Sequence, residues 1–448
     1  MPNKKPVRWI RFNPAQILVL GFLCLIAVGT FLLMLPISTQ DRHHLSLIDA
    51  LFEATSAVCV TGLVVVDTKT TFTLFGQTVL MLLIQIGGLG FMTFGILIAL
   101  SLKKSIGMKE RLVIQASLNQ LTIGGMVKLV KFVLIFTFIV EGLGALLLTA
   151  RWESDFGLGK AMYYGLFHSI SAFNNAGFDL MGNYSSMTNF AGDPMVVLTL
   201  TSLVIIGGIG FFVIYDILNK KSFRKFSLHT KIALYMTIFL ILFGTISILA
   251  LEYNNPGTMG ELSLKDKLLA AYFHGVVPRT AGFNSLDMTE FTLSTQFITM
   301  MLMFIGGGSG GTAGGIKVTT FALVLLAVWF VIRKKDNVNI MSRRISNELI
   351  YRAFSITVYS IGIIFFILFI LTITEDATLN VLSFEVISAF GTVGMSLGLT
   401  PELSPIGKVL ISFLMFIGRV GPLTLAFALA KEHNKEPFKF VKEDIMIG

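Results

Sequence analysis

The chain has 448 residues, of which 54% are apolar and only 14% charged, with 40 phenylalanines. A soluble globular protein carries roughly 25% charged residues, so a soluble enzyme or binding module is excluded. The formal charge of +9 does not mark a nucleic-acid binder, because the basic residues sort into alternate loops instead of one patch. The only cysteines, Cys24 and Cys59, lie in apolar surroundings and imply no disulfide framework.

In chain order, apolar runs fall at residues 14–34, 74–100, 129–149, 194–218, 232–251, 354–373 and 408–429. Each is near the length of about 20 residues that crosses a bilayer. The first is too long for a cleaved signal peptide. A further crossing, 297–332, is apolar at both ends and interrupted in its middle. Most of the 35 basic residues fall in five groups: Lys4 to Arg11, Lys103 to Lys131, Lys220 to Lys231, Arg333 to Arg352, and Lys431 to Lys442. The positive-inside rule puts all five, and both termini, on the cytoplasmic side. The opposite loops carry acids: Asp41, Glu153, Asp155, Glu252, Glu261, Glu375 and Asp376. Five cytoplasmic segments bracket four excursions, so eight full crossings are expected, with a shorter half-polar segment inside each excursion.

Those short segments repeat. They read "FEATSAVCVTGLVVVD" from Phe52, "FHSISAFNNAGFDL" from Phe167, "FHGVVPRTAGFNSLD" from Phe273 and "FEVISAFGTVGMSLGL" from Phe384. Each runs from Phe, through Glu or His, to one glycine: Gly62, Gly177, Gly282 or Gly394. The distance is ten positions in three copies and nine in the third. The following crossings repeat as well: "IGGLGF", "IGGIGF", "IGGGSG" and "IGRVGP". The pattern predicts an all-α integral membrane protein with four parallel helix–pore-loop–helix repeats around one central ion pore, like a potassium channel. The repeats are read as 1–110, 111–223, 224–345 and 346–430, followed by a cytoplasmic tail, 431–448. Backbone carbonyls of four facing loops can replace an ion's water shell, and glycine tolerates the angles this demands. The candidate ion-binding residues are Val60, Thr61 and Gly62; Asn175, Ala176 and Gly177; Thr280, Ala281 and Gly282; and Thr392, Val393 and Gly394. The loop "TVGM" comes closest to the channel sequence "TVGYG". A single glycine per loop implies a shorter filter and looser selectivity.

The interrupted crossing contains "GGGSGGTAGGIKVTT", residues 306–320. Irregular backbone is tolerated at membrane depth only where protein or water surrounds it. Glycine lowers helix stability by roughly 1 kcal/mol per residue relative to alanine, so Gly306, Gly307, Gly308, Gly310, Gly311, Gly314 and Gly315 favour an unwound, movable loop. Lys317 either lies in the cavity or reaches lipid phosphate at the cytoplasmic face. Arg419 stands level with the run, too deep to snorkel to the surface, and must face the pore or a partner. The run also satisfies G-x-G-x-x-G, but no strand precedes it and no βαβ unit surrounds it, so it is no dinucleotide site. With no catalytic constellation either, the chain reads as a non-enzyme.

Glu53, His168, His274 and Glu385 occupy matching places after the phenylalanine. The symmetry spreads them around the axis, which argues against a metal site and for anchors of the short helices. Asp67, Asp179 and Asp287 follow their glycines closely and would raise cation concentration at an outer mouth. Glu141, inside the run 129–149, is expected to be paired within the bundle.

With these motifs, the chain resembles the membrane subunits of Ktr potassium-uptake systems, in the Trk/Ktr/HKT superfamily, over essentially all 448 residues. The resemblance implies potassium uptake across the cell membrane, stimulated by sodium, with no covalent cofactor. It implies a homodimer on an octameric ring of cytosolic RCK-type regulatory subunits, which bind ATP or ADP where this chain does not. Membrane lipids are the other partners; nucleic acid is not one. It also implies that the run 306–320 gates the path and that Arg419 helps keep it shut. By the same resemblance the tail packs into the dimer contact. The rival reading, a sodium- or proton-coupled symporter with alternating access, predicts inverted repeats; here all four copies start on one side.

Overall fold

The structure is a computed structural model and describes residues 13–41, 44–90, 126–335 and 337–429. The basic groups before residue 12 and around 103–111, and the tail 431–448, lie outside the described residues.

The first crossings form four long apolar helices: α1 (Pro14–Leu33), then, after two shorter helices, Met126–Phe156, Leu228–Glu252 and Asn347–Thr374. In chain order the helices of eight or more residues among the described residues are α1; α2 (Leu47–Cys59); α3 (Leu74–Leu89); α4 (Met126–Phe156); α5 (Leu158–Phe173); α6 (Pro194–Gly208); α7 (Phe211–Lys220); α8 (Leu228–Glu252); α9 (Leu264–Val276); α10 (Leu293–Phe304); α11 (Val318–Ile332); α12 (Asn347–Thr374); α13 (Leu379–Gly391); α14 (Pro405–Val420); α15 (Pro422–Leu429). Among the described residues the only sheet is the hairpin of β1 (Asn339–Ile340) and β2 (Arg343–Arg344). The long helices carry exposed Phe31, Ile135, Phe138, Ile246, Phe365 and Phe366. Outward apolar side chains of this size suit a hydrocarbon surround.

The half-polar segments are α2, α5, α9 and α13, of 13 to 16 residues, too short to cross. Each second crossing starts on a side-chain cap: Thr73, Asp193, Thr292 and Ser404 accept from backbone N–H groups of the first turn. Packing is cyclic. Helix α3 touches α2 of its own unit and α5 of the next; α6 touches α5 and α9; α10 touches α13; α14 touches α13 and α2. The fourth unit therefore closes onto the first.

The second crossings depart from the uninterrupted runs expected at 74–100, 194–218 and 408–429. Helix α3 stops at Gly90 (φ +80°), α6 and α7 meet at Gly210 (φ +106°) with a bend of 93°, and α14 stops at Gly421 (φ +90°). An α-helix cannot continue through positive φ, and glycine is the residue that adopts it at little cost. These three glycines share one offset from "IGG" or "IGR". Interruption is thus common to all four units, and the third unit extends it into a long loop.

Candidate functional site

Each short helix ends in a loop of one conformation. The residue two before the glycine is left-handed in all four: Val60 (φ 51°), Asn175 (59°), Thr280 (79°) and Thr392 (49°). The glycines follow at φ 91°, 73°, 69° and 92°. They stand in a closed ring in chain order. A Cβ on Gly62 would collide with the Ala176 carbonyl; on Gly177 it would lie 2.8 Å from the Ala281 oxygen; on Gly282, 2.7 Å from the Val393 oxygen; on Gly394 it would collide with the Thr61 carbonyl. Among the described residues nothing donates a hydrogen bond to the carbonyls of Thr61, Ala176, Val393 or the four glycines; the Ala281 carbonyl accepts from Phe283 N–H. The hydroxyls of Thr61 and Thr392 are buried without a partner. Buried carbonyls normally find donors, and oxygens left bare around an axis suit a cation that has shed its water. The four helix C-termini add their negative dipole ends.

The four matching residues brace this ring. Glu53 Oε1 accepts from the N–H groups of Val65 (2.8 Å) and Val66 (3.2 Å). His168 Nε2 accepts from Leu180 N–H at 3.2 Å, and His274 Nε2 from Ser285 N–H at 3.3 Å. Glu385 accepts from the hydroxyls of Ser396 (2.8 Å) and Thr400. Each ties its short helix to the chain beyond the glycine. Sequence reading missed a second set. Ser56 and Ser388 accept from the N–H groups of Gly62 and Gly394, and Ser171 donates to the Phe178 carbonyl. Their signal was present: all three lie four residues after the phenylalanine, where the third copy has Val277.

The glycine run forms a loop pinched at its neck. Gly306 N–H donates to the Ile316 carbonyl (2.8 Å) and Val318 N–H to the Gly307 carbonyl (3.0 Å). The loop lies on the break between α6 and α7: Gly308 N–H donates to the Gly208 carbonyl (2.7 Å), Thr312 N–H to the Gly207 carbonyl (3.2 Å), and Phe211 N–H to the Gly310 carbonyl (3.1 Å). On its other side a Cβ on Gly314 would strike the Thr392 side chain of the ring. Arg419 donates to the Thr312 carbonyl, and also to the carbonyls of Gly87 (2.5 Å) and Gly88 (2.7 Å) where α3 ends. It thus joins the loop to the first and fourth units. Lys317 donates to the Ala313 carbonyl (2.5 Å) and lines a cavity beside the loop.

Two cavities flank the ring and loop. One, about 310 Å³, is lined by Gly62, Gly177, Gly282 and Gly394 together with Asp67, Asp179 and Asp287. The other, about 180 Å³, is lined by Gly310, Gly311, Lys317 and Arg419. They share no lining residue. Partial burial, with Asp67 nearby, pushes the Asp179 carboxyl up to about 6. Glu141 stands apart, buried, accepting from the amides of Gln85 (3.2 Å) and Asn174 (3.0 Å). No group of three His, Cys, Asp or Glu side chains fit to hold a metal occurs among the described residues.

Fold and site together define a pore-loop membrane protein of the kind that moves ions. The family described as TrkH, cation transport protein, matches residues 11–439, and the chain belongs to that family. It is similar to the Ktr system potassium uptake protein B of Bacillus subtilis, 51% identical over 431 residues and 96% of each chain. It is also similar to the potassium/sodium uptake protein NtpJ of Enterococcus hirae, 38% identical over 451 residues and 99% of each chain. The crystal structure of the potassium transporter TrkH from Vibrio parahaemolyticus shares the fold, with a TM-score of 0.73 at 19% identity, covering 96% of this chain and 87% of that one.

Proposed function

We propose that this protein takes up potassium through the axis of the ring, and that the loop 306–320 is its gate. The observation that carries the reading is the closed circle of four glycine loops with undonated carbonyls. In it Val60, Thr61, Gly62, Asn175, Ala176, Gly177, Thr280, Ala281, Gly282, Thr392, Val393 and Gly394 bind the ion. Gly306, Gly307, Gly308, Gly310, Gly311, Gly314, Gly315 and Lys317 form the obstruction, with Arg419 as its latch. The loop's seat directly beneath Thr392, and the cavity on its far side, support this. Potassium is favoured by the names of both relatives, and sodium as an accompanying ion by that of NtpJ.

The repeat boundaries 1–110, 111–223, 224–345 and 346–430 follow from the same reading. So do a cell-membrane location, cytoplasmic termini, a homodimer, and a ring of cytosolic nucleotide-binding subunits that pull the loop aside. The word "system" in the name of the Bacillus relative supports the last of these. The test is uptake in a cell lacking its own potassium transporters, with and without sodium and the partner subunit. Growth at low potassium that requires this chain supports the reading; expression in the membrane with no potassium uptake under any of these conditions overturns it.

A further inference from the structure

One side chain of the ring is hydrogen-bonded to the loop. Asn175, buried in the second ring loop, has its Oδ1 2.8 Å from the Thr312 hydroxyl of the glycine run. Its Nδ2 donates to the Thr280 hydroxyl at 3.2 Å. Thr280 holds the same left-handed position in the third ring loop that Asn175 holds in the second. A continuous chain of hydroxyl, amide and hydroxyl therefore runs from the loop into two adjacent quarters of the ring. The other two positions are built differently: Val60 carries no polar side chain, and the Thr392 hydroxyl has no partner.

Thr312 is also where the loop is held hardest. Its N–H donates to Gly207, its hydroxyl lies 3.2 Å from the Phe173 carbonyl, and its own carbonyl accepts from Arg419. All three side chains of the polar chain are buried with the loop in place, and lifting the loop takes the Thr312 hydroxyl away from the Asn175 amide. The hydrogen bond to Thr312 is what fixes the amide's orientation on that side. Without it the amide is free to turn, and turning releases Thr280.

We infer that Asn175 is a positioning strut through which the loop sets the ring's ion selectivity, so that Thr312 determines which cation passes as well as whether one does. The inference rests on the filter and gate assignments above. It makes the ring's geometry a function of loop position at two of its four quarters.

The experiment uses the full-length protein with its partner subunit and reads two quantities: potassium flux, and the potassium-to-sodium preference by competition. Thr312→Val removes only the hydroxyl and should lower the preference about fivefold, the weight of one neutral hydrogen bond. Thr312→Ser should restore it. Thr280→Val cuts the other end of the chain and should lower the preference as well. Arg419→Ala frees the same loop by releasing the Thr312 carbonyl; it should raise flux and lower the preference together. Thermal denaturation checks that each variant is folded, and Thr280→Val carries the test if Thr312→Val is not. If Thr312→Val and Thr280→Val both keep the wild-type preference, the strut is refuted, whatever the flux. The same holds if Arg419→Ala raises flux and leaves the wild-type preference intact. Loss of the gate reading shows separately, as an Arg419→Ala flux that never rises.

Discussion

The two glycine-rich regions use the same residue for different ends. In the ring, all four glycines sit at positive φ and face the backbone of the next unit, so the circle closes on itself. In the run, only Gly310 (φ 71°) and Gly315 (φ 62°) are left-handed. The others would bring a Cβ against the carbonyls of Gly207, Gly208, Ile209 and Gly314, or the Thr392 side chain. There glycine lets one strand of backbone lie on another. The ring is also braced from behind by Glu53, His168, His274 and Glu385, whereas the run is held by its seat and by Arg419. The ring is braced from within its own units, whereas the loop is held by contacts with other units.

The comparison breaks most easily at the ring. Gly62→Ser or Gly394→Ser puts a Cβ into the neighbouring backbone and should cut potassium preference over sodium about tenfold, equivalent to roughly 1.4 kcal/mol of discrimination. Competition uptake assays with both variants measure it; wild-type preference in both would mean that the ring is no filter. The bracing is tested next. Glu53→Ala orphans the N–H groups of Val65 and Val66, at roughly 1–3 kcal/mol for each buried donor left unpaired. The purified variant should melt several degrees lower, while Glu53→Gln, which keeps an acceptor, should melt near wild type. The smallest effect concerns the mouth. Asp179 is charged above about 6 and neutral below, so the cavity loses attraction for cations as pH falls through that value. Apparent potassium affinity should weaken about twofold there, and an Asp179→Asn variant should be weak and flat over the same range.

The fourfold architecture was legible because four segments share their endpoints, from phenylalanine to glycine, at nearly constant spacing. The glycine run was legible because seven glycines in a membrane crossing have few other uses. The breaks at Gly90, Gly210 and Gly421 were not, since one glycine inside an apolar run leaves no trace in hydropathy. Nor were the partners of Arg419. The carbonyls of Gly87 and Gly88 lie far away in sequence, and a backbone acceptor has no side chain to betray it. Asn175 was read as a ring residue, but its contact with Thr312 depends on how closely the run lies on α6, which spacing does not encode.

The central claim is that the loop 306–320 closes the path through the ring, and removing the loop tests it most directly. Residues 308–314 would be deleted, and potassium flux measured in vesicles holding the purified protein, with and without the proposed partner subunit and its nucleotide. Arg419→Ala is measured beside it. Each hydrogen bond to a charged group contributes roughly 1.5–3 kcal/mol, so losing Arg419 should raise the open fraction about tenfold or more. The account predicts that the deletion raises flux further still and makes it indifferent to the partner. A folded deletion protein whose flux is unchanged, or still waits on the partner, would contradict it.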